Sequence, residues 1–217
     1  MKKNQKNFCI AGFFLAAFVL WTVAVRFVDV NAIGPQGTAV GFAAINSLFH
    51  NLTGVNMGLY NVTDWLSVVP IGFAAGFGFL GLAQWIKRKH LLKVDFNILA
   101  LGVFYIVVAA LFVLFEILEI NYRPVLIDGQ LEASYPSSTT LLVMCVMPTV
   151  IMWFNSRIKN CVIRRFAVWV TVVFTAFMVV GRLVSGVHWL SDIIGGILLS
   201  AGLVMMYYSV CNSERKQ

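Results

Sequence analysis

Six apolar runs, near residues 8–26, 66–86, 97–118, 138–154, 166–181 and 193–210, dominate this chain of 217 residues. Each approaches the roughly 20 residues that an α-helix needs to cross a hydrocarbon layer, and the fourth and fifth are short enough to extend into their flanks. Backbone in lipid must satisfy its own hydrogen bonds, so the runs read as helices. The period-two alternation of a membrane barrel is absent. Hydrophobic residues make up 60% of the chain and charged ones 12%, more apolar side chain than a water-soluble domain of this length can cover. The expectation is an all-α integral membrane bundle of six transmembrane helices in a single domain.

Charge sets its orientation. With the N-terminus inside, 13 of the 16 basic residues fall on inner segments: Lys2, Lys3 and Lys6; Lys87, Arg88, Lys89 and Lys93; Arg157, Lys159, Arg164 and Arg165; Arg215 and Lys216. Only Arg26, Arg123 and Arg182 remain outside. That bias predicts N-in and C-in termini. It also accounts for the net charge of +7 without nucleic acid. The basic start and following apolar stretch resemble a signal peptide, but no small-x-small cleavage site precedes Arg26, so an uncleaved first helix is expected. The four cysteines show no CxxC spacing and imply neither a disulfide nor a metal framework. Gly72 and Gly76 are spaced for close helix packing, and Trp65, Trp85 and Trp189 fit an interfacial aromatic belt.

The first outer loop, about 27–65, is the longest. Gly and Asn break it, and a short interfacial helix is expected around 38–50, with Phe42, Ile45, Leu48 and Phe49 toward lipid or the bundle. His50 closes it.

Three polar clusters then reach the outer face. The first is 121-NYRPVLIDG-129, where Pro124 stops the third span. The second, 135-YPSST-139, opens the fourth span, with Pro136 near the first helical turn. Ser137, Ser138 and the unpaired N–H groups of that helix start are expected to offer an anion site aided by the helix dipole. The third is 181-GRLVSGVHWLSD-192, where His188 and Asp192, four apart, are expected on one helical face. Alone, each cluster reads as caps and hydrogen-bonded pairs. Together they supply guanidiniums for phosphoryl oxygens, backbone donors and a carboxylate-oriented imidazole nucleophile.

These clusters resemble the type-2 phosphatidic acid phosphatase family, membrane relatives of the vanadium haloperoxidases. The family carries Lys-x6-Arg-Pro, Pro-Ser-Gly-His and Ser-Arg-x5-His-x3-Asp in that order. This chain keeps Arg123-Pro124, Pro136-Ser137, and Arg182 with His188 and Asp192 at the family spacing. The resemblance implies a single membrane-embedded phosphatase-like domain over residues 1–217. His188 would attack phosphorus and form a phosphohistidine, and Asp192 would hold the imidazole. Arg123, Arg182, Ser137 and the Ser138 backbone N–H would bind phosphate oxygens. No metal or other cofactor is required.

The chain departs from the family at four places. Thr139 stands where a His protonates the leaving oxygen, Glu116 where a Lys binds phosphate, Ser138 where Gly follows Ser, and Gly181 where Ser precedes Arg. A threonine hydroxyl is far too weak an acid for that proton transfer. Losing general acid catalysis costs about 10²–10⁴-fold, roughly 3–5 kcal/mol. A phosphate leaving group needs the proton less than an alkoxide does, so a lipid diphosphate suits this site better than a monoester. His50 and Glu119 are further candidate proton donors.

The function expected from the resemblance is a metal-independent lipid phosphatase or diphosphatase of a plasma membrane, open to the extracytoplasmic side. Its partners are the bilayer and a phospholipid or isoprenoid (di)phosphate substrate. The alternative is an impaired relative that binds phospholipid headgroups without turnover. A transporter would show broken helices and charges at mid-membrane depth, and the spans are nearly free of ionisable groups.

Overall fold

The computed structural model describes residues 2–214 and is helical nearly throughout. Arg215 and Lys216, and the side chains of Lys2 and Lys3, which figured in the orientation argument, lie outside the described residues. The helices are α1 (Lys2–Phe27), α2 (Ala43–Thr53), α3 (Met57–Leu66), α4 (Val68–Arg88), α5 (Phe96–Leu118), α6 (Ser138–Arg157), α7 (Cys161–Val184) and α8 (Leu190–Glu214). Six stretches are long and apolar enough to span a membrane, with α3 and α4 counting as one. The short fourth and fifth runs extend to 20 and 24 residues. Phe13, Leu20, Phe79, Ile106 and Trp169 face outward on four of the spans, where lipid rather than water is the solvent.

The most buried spans are α6 and α8, which pack together, and α1 lies along α8. Small residues on α8 permit this approach: a Cβ at Gly202 would lie 2.7 Å from the Leu15 side chain of α1. A Cβ at Gly195 would come within 2.6 Å of the Tyr135 ring. Tyr135 is buried, stacks on Phe18 and shares a 2.7 Å hydrogen bond with Thr22 of α1. Trp21 Nε1 donates to the Ser191 carbonyl at 3.0 Å. The two helices are thus fixed in register at the end that carries the polar clusters.

Three expectations require correction. Gly72 and Gly76 meet open space rather than a neighbouring helix; their spacing faces them away from the bundle. Trp189 is buried, not interfacial, because its Nε1 donates to the Tyr122 carbonyl at 2.7 Å. The first outer segment holds two helices, not one. The expected helix is α2, on which Ile45 and Leu48 are exposed while Phe42, just before it, stacks on Trp21. The second is α3, capped by Asn56, whose side chain accepts from the Leu59 amide at 2.9 Å.

Candidate active site

The start of α8 anchors the site. A tight turn precedes it, with Gly186 at φ +68, where a Cβ would sit 1.8 Å from the Gly54 carbonyl oxygen. Only glycine fits there. His188 follows in the turn and lies outside the helix, since α8 begins at Leu190. The expected single helical face is therefore replaced by a cap. The Trp189 amide donates to Asp192 Oδ2 at 3.0 Å, the reach-back half of a capping box. Asn121 Nδ2 and Ser191 Oγ approach Asp192 Oδ1 at 3.2 and 3.4 Å. Asn46 of α2 in turn holds Ser191, accepting from its amide at 3.1 Å and donating to its Oγ at 2.9 Å.

This carboxylate is fully buried and sits 3.7 Å from His188 Nδ1. That is an ion-pair distance, longer than a hydrogen bond, and Nδ1 has no hydrogen-bond partner among the described residues. The ring's other nitrogen, Nε2, lies 3.5 Å from Nη1 of Arg123. Burial pushes the His188 imidazole down from its ordinary 6.5 to about 4, reinforced by Arg123 and opposed by Asp192. The ring is therefore neutral, with a lone pair available at neutral pH.

Arg123 and Arg182 converge as expected. Both guanidiniums lie over the ring of Tyr60, at 5.7 and 4.6 Å from its centroid. Arg182, in the last turn of α7, is 1% exposed. Its Nη2 donates to Asp64 Oδ1 at 2.7 Å and to Thr139 Oγ1 at 2.6 Å. Arg123 Nε lies 3.0 Å from Glu132 Oε2, and the Arg123 amide donates to the Glu132 carbonyl. Each cation thus carries a carboxylate of its own. Tyr60, Asp64 and Glu132 belong to none of the three clusters. The i, i+4 spacing of Tyr60 and Asp64 on a short amphipathic helix was the available signal for the first two.

Gly181 explains how α3 reaches Arg182. A Cβ there would lie 2.8 Å from Thr63 Cγ2. Its absence lets α3 settle on α7, with Tyr60 and Asp64 flanking Thr63 by one turn of sequence or less.

Ser137 and Ser138 sit where the second cluster put them, though Pro136 precedes the cap instead of entering the first turn. Ser137 is the N-cap of α6, and its Oγ accepts from the Thr140 amide at 3.5 Å. The Ser137 amide is spent on the Asp192 carbonyl at 3.1 Å, which locks the α6 start to α8. Ser138 opens the helix and lines a narrow cleft with His188, Glu116, Pro136 and Phe112. The cleft holds about 10 Å³, space for about one water molecule. A larger cavity, about 640 Å³, opens at the opposite end of the bundle beside Asp95, Arg157 and Tyr208, and contains none of the cluster residues. Among the described residues no group of three or more His, Cys, Asp or Glu side chains is placed to hold a metal ion.

The family model of the PAP2 superfamily matches residues 114–216, a span that contains every cluster residue. The matched stretch is similar to that superfamily and covers just under half of the chain. The fold extends the likeness over the rest of the chain. A crystal structure described as the first transmembrane PAP2 type phosphatidylglycerolphosphate phosphatase, from Bacillus subtilis, superposes with a TM-score of 0.64. The alignment covers 94% of this chain and 96% of that one at 14% sequence identity, so the shared property is the fold. No curated protein matches the chain. Six spans and a shared transmembrane fold make this chain a multi-pass membrane protein.

Proposed function

We propose that this chain is a lipid phosphatase or diphosphatase that works through a phosphohistidine, with its site on the extracytoplasmic side of the plasma membrane. One observation carries the reading: a neutral, buried imidazole backed by Asp192 has its Nε2 3.5 Å from the guanidinium of Arg123. Arg182 lies on the same tyrosine ring and the N-terminus of α6 is adjacent. His188 Nε2 attacks phosphorus while Asp192 stabilises the cationic ring. Arg123, Arg182, Ser137 and the Ser138 amide hold the non-bridging oxygens, whose charge grows in the transition state. Water then attacks the phosphohistidine and releases phosphate. The headgroup must open the cleft and compete with Asp64 and Glu132 for the two arginines.

The test is phosphate release by the purified protein in detergent, over phosphatidic acid, phosphatidylglycerophosphate and undecaprenyl diphosphate. Turnover that His188→Ala abolishes is expected. Failure to turn over any of them, or turnover that survives His188→Ala, defeats the reading. The engagement of both arginines with carboxylates favours a second reading, a headgroup-binding relative without turnover. That reading requires phosphate binding in the absence of any release.

A further inference from the structure

The site lacks the family's proton donor, and Thr139 does not replace it. Its hydroxyl is turned to Arg182, accepting from Nη2 at 2.6 Å. The other ionisable groups near the site are also committed. Asp64 is paired with Arg182, Glu132 with Arg123, and Asp192 lies fully buried behind the imidazole. Glu119 accepts from the Tyr122 hydroxyl at 2.7 Å and follows the end of α5. His50 packs on Trp189 and does not line the cleft.

Glu116 differs from all of these. It lines the same cleft as His188 and Ser138. It is exposed and forms no ion pair among the described residues. It also stands within a spanning helix, two residues before the end of α5, where an ionisable side chain is costly and marks function. Phe112, one turn earlier on the same face, is exposed and lines the same wall. The wall formed by α5 is thus the apolar, membrane-facing side of the cleft, and His188 closes the other side. In an in-line displacement the leaving oxygen departs opposite the nucleophile. In a lipid substrate that oxygen is attached to the chains that lie in the membrane. It therefore emerges at the α5 wall.

From this placement, and resting on the phosphatase reading, we propose that Glu116 is the general acid of this site, a carboxyl acting where the family places a cation. As the bond from His188 Nε2 to phosphorus forms, the bond from phosphorus to the lipid oxygen breaks. The electron pair stays on that oxygen, which takes the proton of the Glu116 carboxylic acid. The Glu116 carboxylate then removes a proton from the water that attacks phosphorus. The phosphorus–Nε2 bond breaks, its pair returns to the ring, and phosphate leaves with Glu116 protonated again. A neutral Glu116 also removes the repulsion that a carboxylate at this position exerts on the substrate. With this donor, phosphate monoesters are substrates of the site as well as diphosphates.

Glu116→Gln and the unaltered protein are compared on phosphatidic acid, whose leaving group is an alkoxide, and on undecaprenyl diphosphate, whose leaving group is a phosphate. The monoester rate is expected to fall by about 10²–10⁴-fold. The diphosphate rate is expected to fall far less, so that the ratio of the two drops by more than about tenfold. Glu116→Asp, which keeps the carboxyl, is expected to recover part of the monoester rate. A ratio that changes by less than about tenfold overturns the assignment, including the case in which both rates are lost together. It leaves the phosphohistidine reading standing, which His188→Ala tests separately. Absence of turnover in the unaltered protein sinks both.

Discussion

Asp64 Oδ1 accepts a 2.7 Å hydrogen bond from Arg182 Nη2, although 118 residues separate the two in sequence. The arginine side chain is 2% exposed and the aspartate side chain 56%. Solvent therefore screens one end of a pair whose other end is buried. Asp64→Asn is expected to cost only about 1 kcal/mol of stability, read as a small fall in thermal midpoint in detergent.

Thr139 is the other acceptor on that nitrogen, and it is buried. Thr139→Val keeps the shape and removes the oxygen, so part of a buried guanidinium loses its partner. A loss of about 1–3 kcal/mol is expected, larger than that of Asp64→Asn. Equal thermal midpoints for the two variants would contradict this ranking.

Gly181 sets the distance between α3 and α7. Gly181→Ala places a methyl group 2.8 Å from Thr63 Cγ2, and such overpacking costs about 1–3 kcal/mol. Thr63→Ser removes the opposing methyl. In a double-mutant cycle the second change is expected to restore most of the loss, in thermal midpoint and in phosphate release alike.

The imidazole of His188 sets the acid limb. Its folded value, lowered to about 4 from 6.5 by burial, means that the unfolded chain binds a proton which the native chain refuses. Stability from this group is full above about 6.5 and is lost as pH falls through about 4. Activity falls in the same region, because a protonated Nε2 has no lone pair for attack. A rate profile flat from pH 8 to 6 and failing only near 4 is expected on this group's account, and an imidazole titration seen by NMR near 6.5 would refute it.

Sidedness has its own reporter. Cys161 is a free, exposed thiol at the start of α7, at the end of the bundle opposite His188. With the other cysteines replaced by serine, it is expected to react with a membrane-impermeant thiol reagent only after cells are opened. Labelling in intact cells would invert the proposed topology.

Local chemistry settled the spans, because lipid forces each apolar run to close its own hydrogen bonds and each run carries that instruction unaided. It also pointed to four of the polar residues that the fold brings near one another, since Arg123, Arg182, His188 and Asp192 keep a recognisable order along the chain. Packing decided the rest. Tyr60, Asp64 and Glu132 reach the arginines only because α3 and the loop before α6 fold back over helices that lie elsewhere in sequence; the i, i+4 spacing within 57–66 puts Tyr60 and Asp64 on one face but does not say what that face meets. Gly72 and Gly76 had the right spacing and no neighbour, whereas Gly181, Gly195 and Gly202 had a neighbour and no motif. Spacing along one helix fixes which residues share a face. Which face meets another helix is set by how well the two surfaces fit, and that is a property of the assembled bundle.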